Sequence, residues 1–382
     1  MSDVFLLRQK LAADSCKIRV EETFLQAGIT ANASERYAPQ IHNQHFYQRL
    51  IRDGDMGLGE SYMQGWWDCE ALDEFIAKLI AHRRRNGKGG FRLKDLYPYL
   101  YAWLQPLGRA SQAYQIAEHH YNLGNELYAA MLDTCMTYTC AWWDKGAQTL
   151  EQAQIDKLEL ICQKLQLQPG MTVLDCGCGW GSFAAYAAQH YGVTVTGVNV
   201  SVEQVEYAQQ RYADLPVNFI LEDYRQHQGL YDRVVSVGMI EHVGPKYYPL
   251  FLQKMRSCLK PEGLFLLHSI GNNHSQFRQD WIVKYIFPQG YVPSLTQLSA
   301  AIENNFVIED VHNLSVNYDK TLMAWFHNFE AAWPQLSNRY SESFYRMWRF
   351  YLLSCAGMFR ARELQLYQLL LSPYGLVEGY KR

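Results

Sequence analysis

The chain has 382 residues, 48% of them hydrophobic and 19% charged, with a net charge of −3. That length supports two cores and that balance excludes a disordered chain, while the near-zero charge excludes bulk attraction to nucleic acid or an anionic membrane. The nine scattered cysteines form no C-x-x-C pair, which leaves no zinc or dithiol motif, and no metal is expected.

Aromatic residues reach 14%, with 27 Tyr and 10 Trp; a large core accounts for most of them, and a lipid-handling surface would raise the same count. The start, Met1 to Arg8, lacks a long apolar stretch, so no signal peptide is expected. No run approaches the roughly 20 apolar residues that cross a bilayer. The expected compartment is the cytosol.

The leading region reads as helical. Leu72, Phe75, Ile76, Leu79 and Ile80 form one apolar helix face. The following stretch, His82 to Lys94, carries six Lys or Arg and no acid. Its glycines predict a mobile loop, either simply solvated or touching anionic lipid headgroups.

From about Leu150, helices and apolar strands alternate. Strands are predicted at 171–175, 193–198, 217–221, 232–239 and 264–268. Helices are predicted at 182–191, 202–212 and 247–259, the last stopped by Lys260-Pro261-Glu262-Gly263. This βαβα order specifies an α/β fold with a doubly wound, Rossmann-like parallel sheet. Residues 281–382 mix an insertion, a strand at 306–314 and long aromatic-rich helices. The expected division is a smaller, mainly helical N-terminal domain at 1–109 and a catalytic domain at 110–382.

Where the first predicted strand turns into the first helix, the sequence is Asp175-Cys176-Gly177-Cys178-Gly179-Trp180-Gly181. Glycines there let the backbone approach a ligand closely. The G-x-G-x-G spacing, with Asp175 two residues before it, resembles the S-adenosylmethionine (SAM) loop of class I methyltransferases rather than the G-x-G-x-x-G of dinucleotide enzymes. The acid usual after the second strand is absent, and Asn199 and Gln204 are expected to supply its hydrogen bonds. Asp223 and Tyr224 fall where that class contacts adenine, although packing alone would also explain Tyr224.

Ligands of such sheets bind at the carboxyl ends of the strands. Glu241 follows the fourth strand and His268 the fifth, so their side chains are expected to converge near the sulfonium. His242 and Glu262 have weaker claims.

Several segments together resemble the bacterial cyclopropane-fatty-acyl-phospholipid synthases. These are Gly57-Leu58-Gly59-Glu60-Ser61-Tyr62-Met63, Tyr121-Asn122-Leu123-Gly124-Asn125, Tyr138-Thr139-Cys140-Ala141-Trp142-Trp143, Gly238 to Gly244 and Tyr318 to Trp325. The likeness runs from near Asn43 to about Leu370. The related mycolic acid cyclopropane synthases lack a leading domain of this kind, so residues 1–109 are expected to present lipid and to point to a phospholipid substrate.

The resemblance implies methyl transfer from SAM to a cis alkene of a membrane phospholipid, then proton loss to close a ring. It implies that Tyr138 and Thr139 help hold the cofactor. It also implies that the base is bicarbonate held by Cys140, Glu241, His268, the backbone at Ile270 and Tyr318. Cys355 matches a family cysteine once considered as a nucleophile; a buried helix cysteine is the alternative. The expected partner is a phospholipid bilayer with unsaturated chains, met peripherally at the cytoplasmic face of the inner membrane; a homodimer is entertained, and no nucleic acid is expected.

Two other functions fit parts of the pattern: a small-molecule amine methyltransferase on the same fold, and a non-catalytic lipid-binding protein. Retention of Cys140, Glu241, His268 and Tyr318 disfavours the first, and the intact glycine loop the second.

Overall fold

The structure is a computed structural model that describes residues 2–86, 124–275 and 280–382. A leading layer holds helices α1 (Ser2–Gln26), α2 (His45–Met63) and α3 (Leu72–Arg85), with a small ladder between β1 (Gln40–Ile41) and β2 (Trp67–Asp68). The expected domain boundary near residue 109 lies outside the described residues. The same is true of the basic residues Lys88, Arg92 and Lys94, and of Tyr121 to Leu123.

The catalytic layer is built on seven strands: β3 (Thr172–Cys176), β4 (Thr194–Asn199), β5 (Val217–Leu221), β6 (Tyr231–Val237), β7 (Leu259–Asn272), β8 (Val307–Asn313) and β9 (Leu364–Ser372). Their order is β5-β4-β3-β6-β7-β9-β8, with β9 antiparallel to both neighbours. Helix α4 (Asn125–Met131) joins the hydrophobic cluster of the leading helices, whereas α5 (Leu150–Lys164), α6 (Ser182–Tyr191), α7 (Val202–Arg211) and α8 (Tyr248–Ser257) accompany the parallel half. The short α9 (Asp280–Tyr285) and α10 (Leu295–Ile302) follow β7. The long α11 (Ser315–Leu336) and α12 (Glu342–Arg360) then lead into β9.

The predicted strands and helices therefore stand, with two differences. β7 is longer than 264–268, and Lys260 to Gly263 lie within it. β9 was not anticipated, because Leu364–Ser372 is buried at every position. A strand buried on both faces, with Gln365 and Gln368 three apart, shows no period-2 alternation to separate it from a buried helix.

The leading helices share one hydrophobic cluster with α11 and α12, from Phe46, Trp67 and Phe75 to Trp325, Trp348 and Phe350. Two glycines permit the close approach. A Cβ at Gly59 in α2 would fall 2.4 Å from the Trp281 ring, and one at Gly357 in α12 would fall 2.5 Å from the Asp73 carbonyl oxygen. The mobile-loop reading fails for Arg83 to Arg85, which form the last turn of α3. Arg83 pairs with Glu363 at 2.5 Å, and Arg84 donates to the carbonyls of Ala361 and Arg362 at 2.8 Å each. These two arginines face the catalytic layer, because helix C-termini and chain reversals expose carbonyls that a guanidinium satisfies.

Candidate active site

The strand order reverses at β3, and the glycine loop leaves β3 at that point, where such sheets place their ligands. It borders a cavity of about 200 Å³. Gly177 has φ +84 and lies so close to Met239 that a Cβ would fall 2.7 Å from its Cγ. Gly179, at φ +55, has nothing within 4 Å of a built Cβ, so a side chain there would project into open space at the cavity wall. Gly181 departs from the expected role. It does not line the cavity; a Cβ there would meet Phe219 at 2.6 Å, so this glycine seats α6 against the sheet.

The other expected cofactor residues, Tyr138, Thr139, Asp175, Asn199, Gln204, Asp223 and Tyr224, all line the cavity. Asn199 donates to Gln204 Oε1 at 2.7 Å. Asp223 accepts from the Arg225 amide at 3.0 Å and from its Nε at 2.8 Å. Tyr224 packs edge-on against Phe251. Asp175 is buried, and its Oδ2 has no hydrogen-bond partner. Burial pushes its carboxyl up to about 7, against the pull of Lys157.

Lys157 joins this set, a residue that no motif singles out. It is 1% exposed, lines the cavity and donates to Thr139 Oγ1 at 3.1 Å. Burial lowers its amine to about 8 while Asp133 and Asp175 oppose the shift. The signal was available: Leu150, Ala153, Lys157, Leu158 and Ile161 follow an apolar helix period, and a lysine there is buried with a reason. The set offers acceptors for an ammonium, amide groups for a diol and an aromatic edge for a base, so it fits SAM.

A second cavity of about 120 Å³ adjoins the first. The two share Tyr138, Thr139, Gly238, His242 and Phe287. Glu241, in the 3₁₀ turn after β6, and His268, on β7, converge here with Ile270, Tyr318, Tyr291 and Tyr351. Glu241 Oε1 accepts from the Ile270 amide at 2.7 Å, and Oε2 has no partner. Burial pushes this carboxyl up to about 7, with the Ile270 amide and Ser269 pulling the other way. Burial also drives His268 well below the usual imidazole range, so the ring is neutral. Its Nε2 has no partner, while Nδ1 lies 3.2 Å from Gln368 Nε2. His242, held down at about 4 by burial, borders both cavities.

Tyr318 begins α11, its ring packed on Phe359 and Trp325. Burial raises its hydroxyl well above the usual range, with Cys140, Tyr138, Glu241 and Cys355 adding to the effect. Tyr138 and Tyr351 join hydroxyls at 2.8 Å. Two expected anion contacts are turned elsewhere. The Ile270 amide serves Glu241, and the Cys140 thiol points to the Ala141 carbonyl at 3.2 Å. Cys355 is buried within α12, and burial alone pushes its thiol up to about 12. A nucleophilic cysteine needs the reverse shift. Among the described residues no metal-ligating cluster occurs, and no helix is long and apolar enough to cross a membrane.

A doubly wound sheet with this loop, and a cavity fitted to SAM at its switch point, define a class I SAM-dependent methyltransferase. The mycolic acid cyclopropane synthetase family matches residues 109–369. The chain is 47% identical to the cyclopropane-fatty-acyl-phospholipid synthase of Escherichia coli strain K12, over 92% of each chain. It is 34% identical to cyclopropane mycolic acid synthase 1 of Mycobacterium tuberculosis, over 65% of this chain and 93% of that one. The chain belongs to this family. Among solved structures, mycolic acid cyclopropane synthase CmaA1 complexed with SAH and CTAB aligns with a TM-score of 0.65 at 32% identity, covering 70% of this chain and 99% of that one. Coclaurine N-methyltransferase shares the fold, with a TM-score of 0.68 at 24% identity, over 82% of this chain and 98% of that one.

Proposed function

We propose that this enzyme adds the methyl carbon of SAM across the cis double bond of an unsaturated acyl chain in a membrane phospholipid, closing a cyclopropane ring with bicarbonate as the proton acceptor. The observation that carries this reading is a pair of unpartnered buried polar atoms, Glu241 Oε2 and His268 Nε2, in a largely aromatic and aliphatic pocket beside the cofactor cavity; His242, whose Nδ1 also has no partner, stands where the two cavities meet. Bound SAM supplies an electrophilic methyl group. Asp175 would face its ammonium, the Asn199–Gln204 pair its ribose, and Tyr224 its adenine.

The second cavity answers what the chemistry demands. An alkene is a poor nucleophile, and its methylation leaves a cation that water would capture. Tyr138, Phe287 and Tyr351 exclude water and present ring faces that stabilise positive charge. A base must reach the new methyl group. Glu241 Oε2 would accept the hydroxyl of bicarbonate, strengthening its basicity, while His268 Nε2–H and the Tyr318 hydroxyl would hold its other oxygens. Ile270 then acts from behind, through Glu241, while the Cys140 thiol is engaged by the Ala141 carbonyl. The enzyme would work as a peripheral protein at the cytoplasmic face of the bilayer.

The test is gas chromatography of lipids after incubation with SAM and unsaturated phospholipid vesicles, in buffer stripped of carbon dioxide and again with bicarbonate restored. Cyclopropane chains that appear fully only with bicarbonate are expected. Methyl-branched or N-methylated products would overturn the reaction, and equal rates in both buffers would overturn the base.

A further inference from the structure

We infer that Gln368 is a positioning residue that fixes the tautomer of His268, so that the imidazole meets the reaction pocket as an N–H donor. The inference rests on the reading of that pocket as a bound-anion base site, and it concerns a residue on β9, the strand that sequence patterning did not reveal.

The register of the sheet places Gln368 directly opposite His268 across the antiparallel β7–β9 pair. Directly paired residues share a face of the sheet. Gln368 is 0% exposed and His268 1% exposed, and their polar ends meet at 3.2 Å between Gln368 Nε2 and His268 Nδ1. With the amide NH2 facing the ring, Nδ1 is the acceptor, because an NH2 can only donate. A neutral imidazole carries one proton, and that proton then sits on Nε2. Nε2 is the ring atom left without a partner at the second cavity.

Gln368 is also paired with His312 of β8, on its other side, and its own Oε1 has no hydrogen-bond partner. Which end of the amide meets His268 is read out directly by the two ring-nitrogen shifts.

A donor at Nε2 matters because the neighbouring groups are acceptors. The carboxylate of Glu241 accepts, and any anion held beside it accepts at its outer oxygens. The other tautomer would turn a lone pair on such an anion. A glutamine buried in a core strand costs conformational and desolvation free energy that leucine would not, and this pairing gives it a purpose.

The experiment uses the full-length enzyme labelled with ¹⁵N-histidine, the His268 signals being identified by their loss in His268→Gln. In the wild type, Nδ1 is expected to show a pyridine-type shift and Nε2 a pyrrole-type shift, throughout pH 6 to 8. A pyrrole-type Nδ1 would overturn the inference, whatever the variants do. Gln368→Glu presents a carboxylate that accepts from Nδ1–H. It is expected to reverse the pattern and lower turnover at least about tenfold, the scale of losing a supporting hydrogen bond, with SAM affinity unchanged. Gln368→Met keeps the volume without the donor and is expected to show mixed tautomers with a smaller loss. Wild-type turnover in a folded Gln368→Glu with reversed shifts would also overturn it. The bicarbonate reading fails separately: a correct wild-type tautomer with rates indifferent to bicarbonate leaves Gln368 in place and removes only the anion.

Discussion

Replacing Glu241 with Gln separates stability from catalysis. In the folded protein the carboxyl is raised from its ordinary 4.5 to about 7 by burial. The folded state therefore holds this proton more tightly than the unfolded chain does. Below pH 4.5 both states are protonated and nothing is lost. Between 4.5 and 7 stability falls as pH rises, and above 7 the penalty is complete. Each pH unit in that window is worth about 1.4 kcal/mol, so the ionised carboxylate costs about 3 kcal/mol at pH 8. Glutamine keeps the shape, accepts from the Ile270 amide and does not titrate. In buffer stripped of carbon dioxide, Glu241→Gln should melt about 5 °C above wild type at pH 8, with the difference closing near pH 4.5. Turnover should fall at least about a hundredfold, the scale of losing general-base assistance, while calorimetry finds near-normal SAM affinity. A variant no more stable than wild type at pH 8, or one with full activity, would refute the argument that this carboxylate is kept charged for chemistry.

Gly179→Val should abolish SAM binding by calorimetry, because φ +55 strains a branched residue and its side chain would enter the cofactor space; unchanged affinity in a folded variant counts against this placement. Gly59→Ala should lower stability by about 1–3 kcal/mol in denaturant titration, since its methyl would fall 2.4 Å from the Trp281 ring; an unchanged midpoint would mean the layers separate freely. Arg83→Gln leaves Glu363 without its cation and should cost about 1 kcal/mol, while vesicle co-sedimentation at low salt stays at the wild-type level. Weaker vesicle binding would restore the headgroup role for this part of the basic run.

Local signals carried most of the parallel half. Strand, glycine loop and helix follow one another between Thr172 and Tyr191, so the cofactor wall was readable from spacing alone. Glu241 and His268 were readable because a polar residue closing an apolar strand stands out. What escaped depended on distant pairing. Gln368 interrupts an apolar run whose strand character is set only by lying between β7 and β8. Lys157 has partners, Thr139 and Asp175, on other elements. Arg83 resembled a solvated charge until Glu363, 280 positions away, was placed beside it. The direction of the Cys140 thiol is likewise a matter of packing that no motif encodes.

The leading helices are more than an attachment to the methyltransferase sheet. Arg360, at the end of α12, bonds Asp73 of α3 at 2.5 Å through Nη1 and Asp319 of α11 at 2.9 Å through Nε. Asp319 follows Tyr318, and the Tyr318 ring packs on Phe359, which precedes Arg360. One guanidinium thus ties the leading layer to the helical turn that supplies a wall of the second cavity. Gly357, one turn earlier, lets α3 and α12 approach until Asp73 and Ile76 fill the space a side chain would need. Cation chemistry in a dry pocket requires walls that do not open to water during the reaction. Packed helices bridged by a half-buried ion pair supply that rigidity more effectively than an independently moving domain would, because packed interiors transmit displacement rather than absorb it. The shared hydrophobic cluster and this ion-pair bridge make the leading layer part of the pocket's construction.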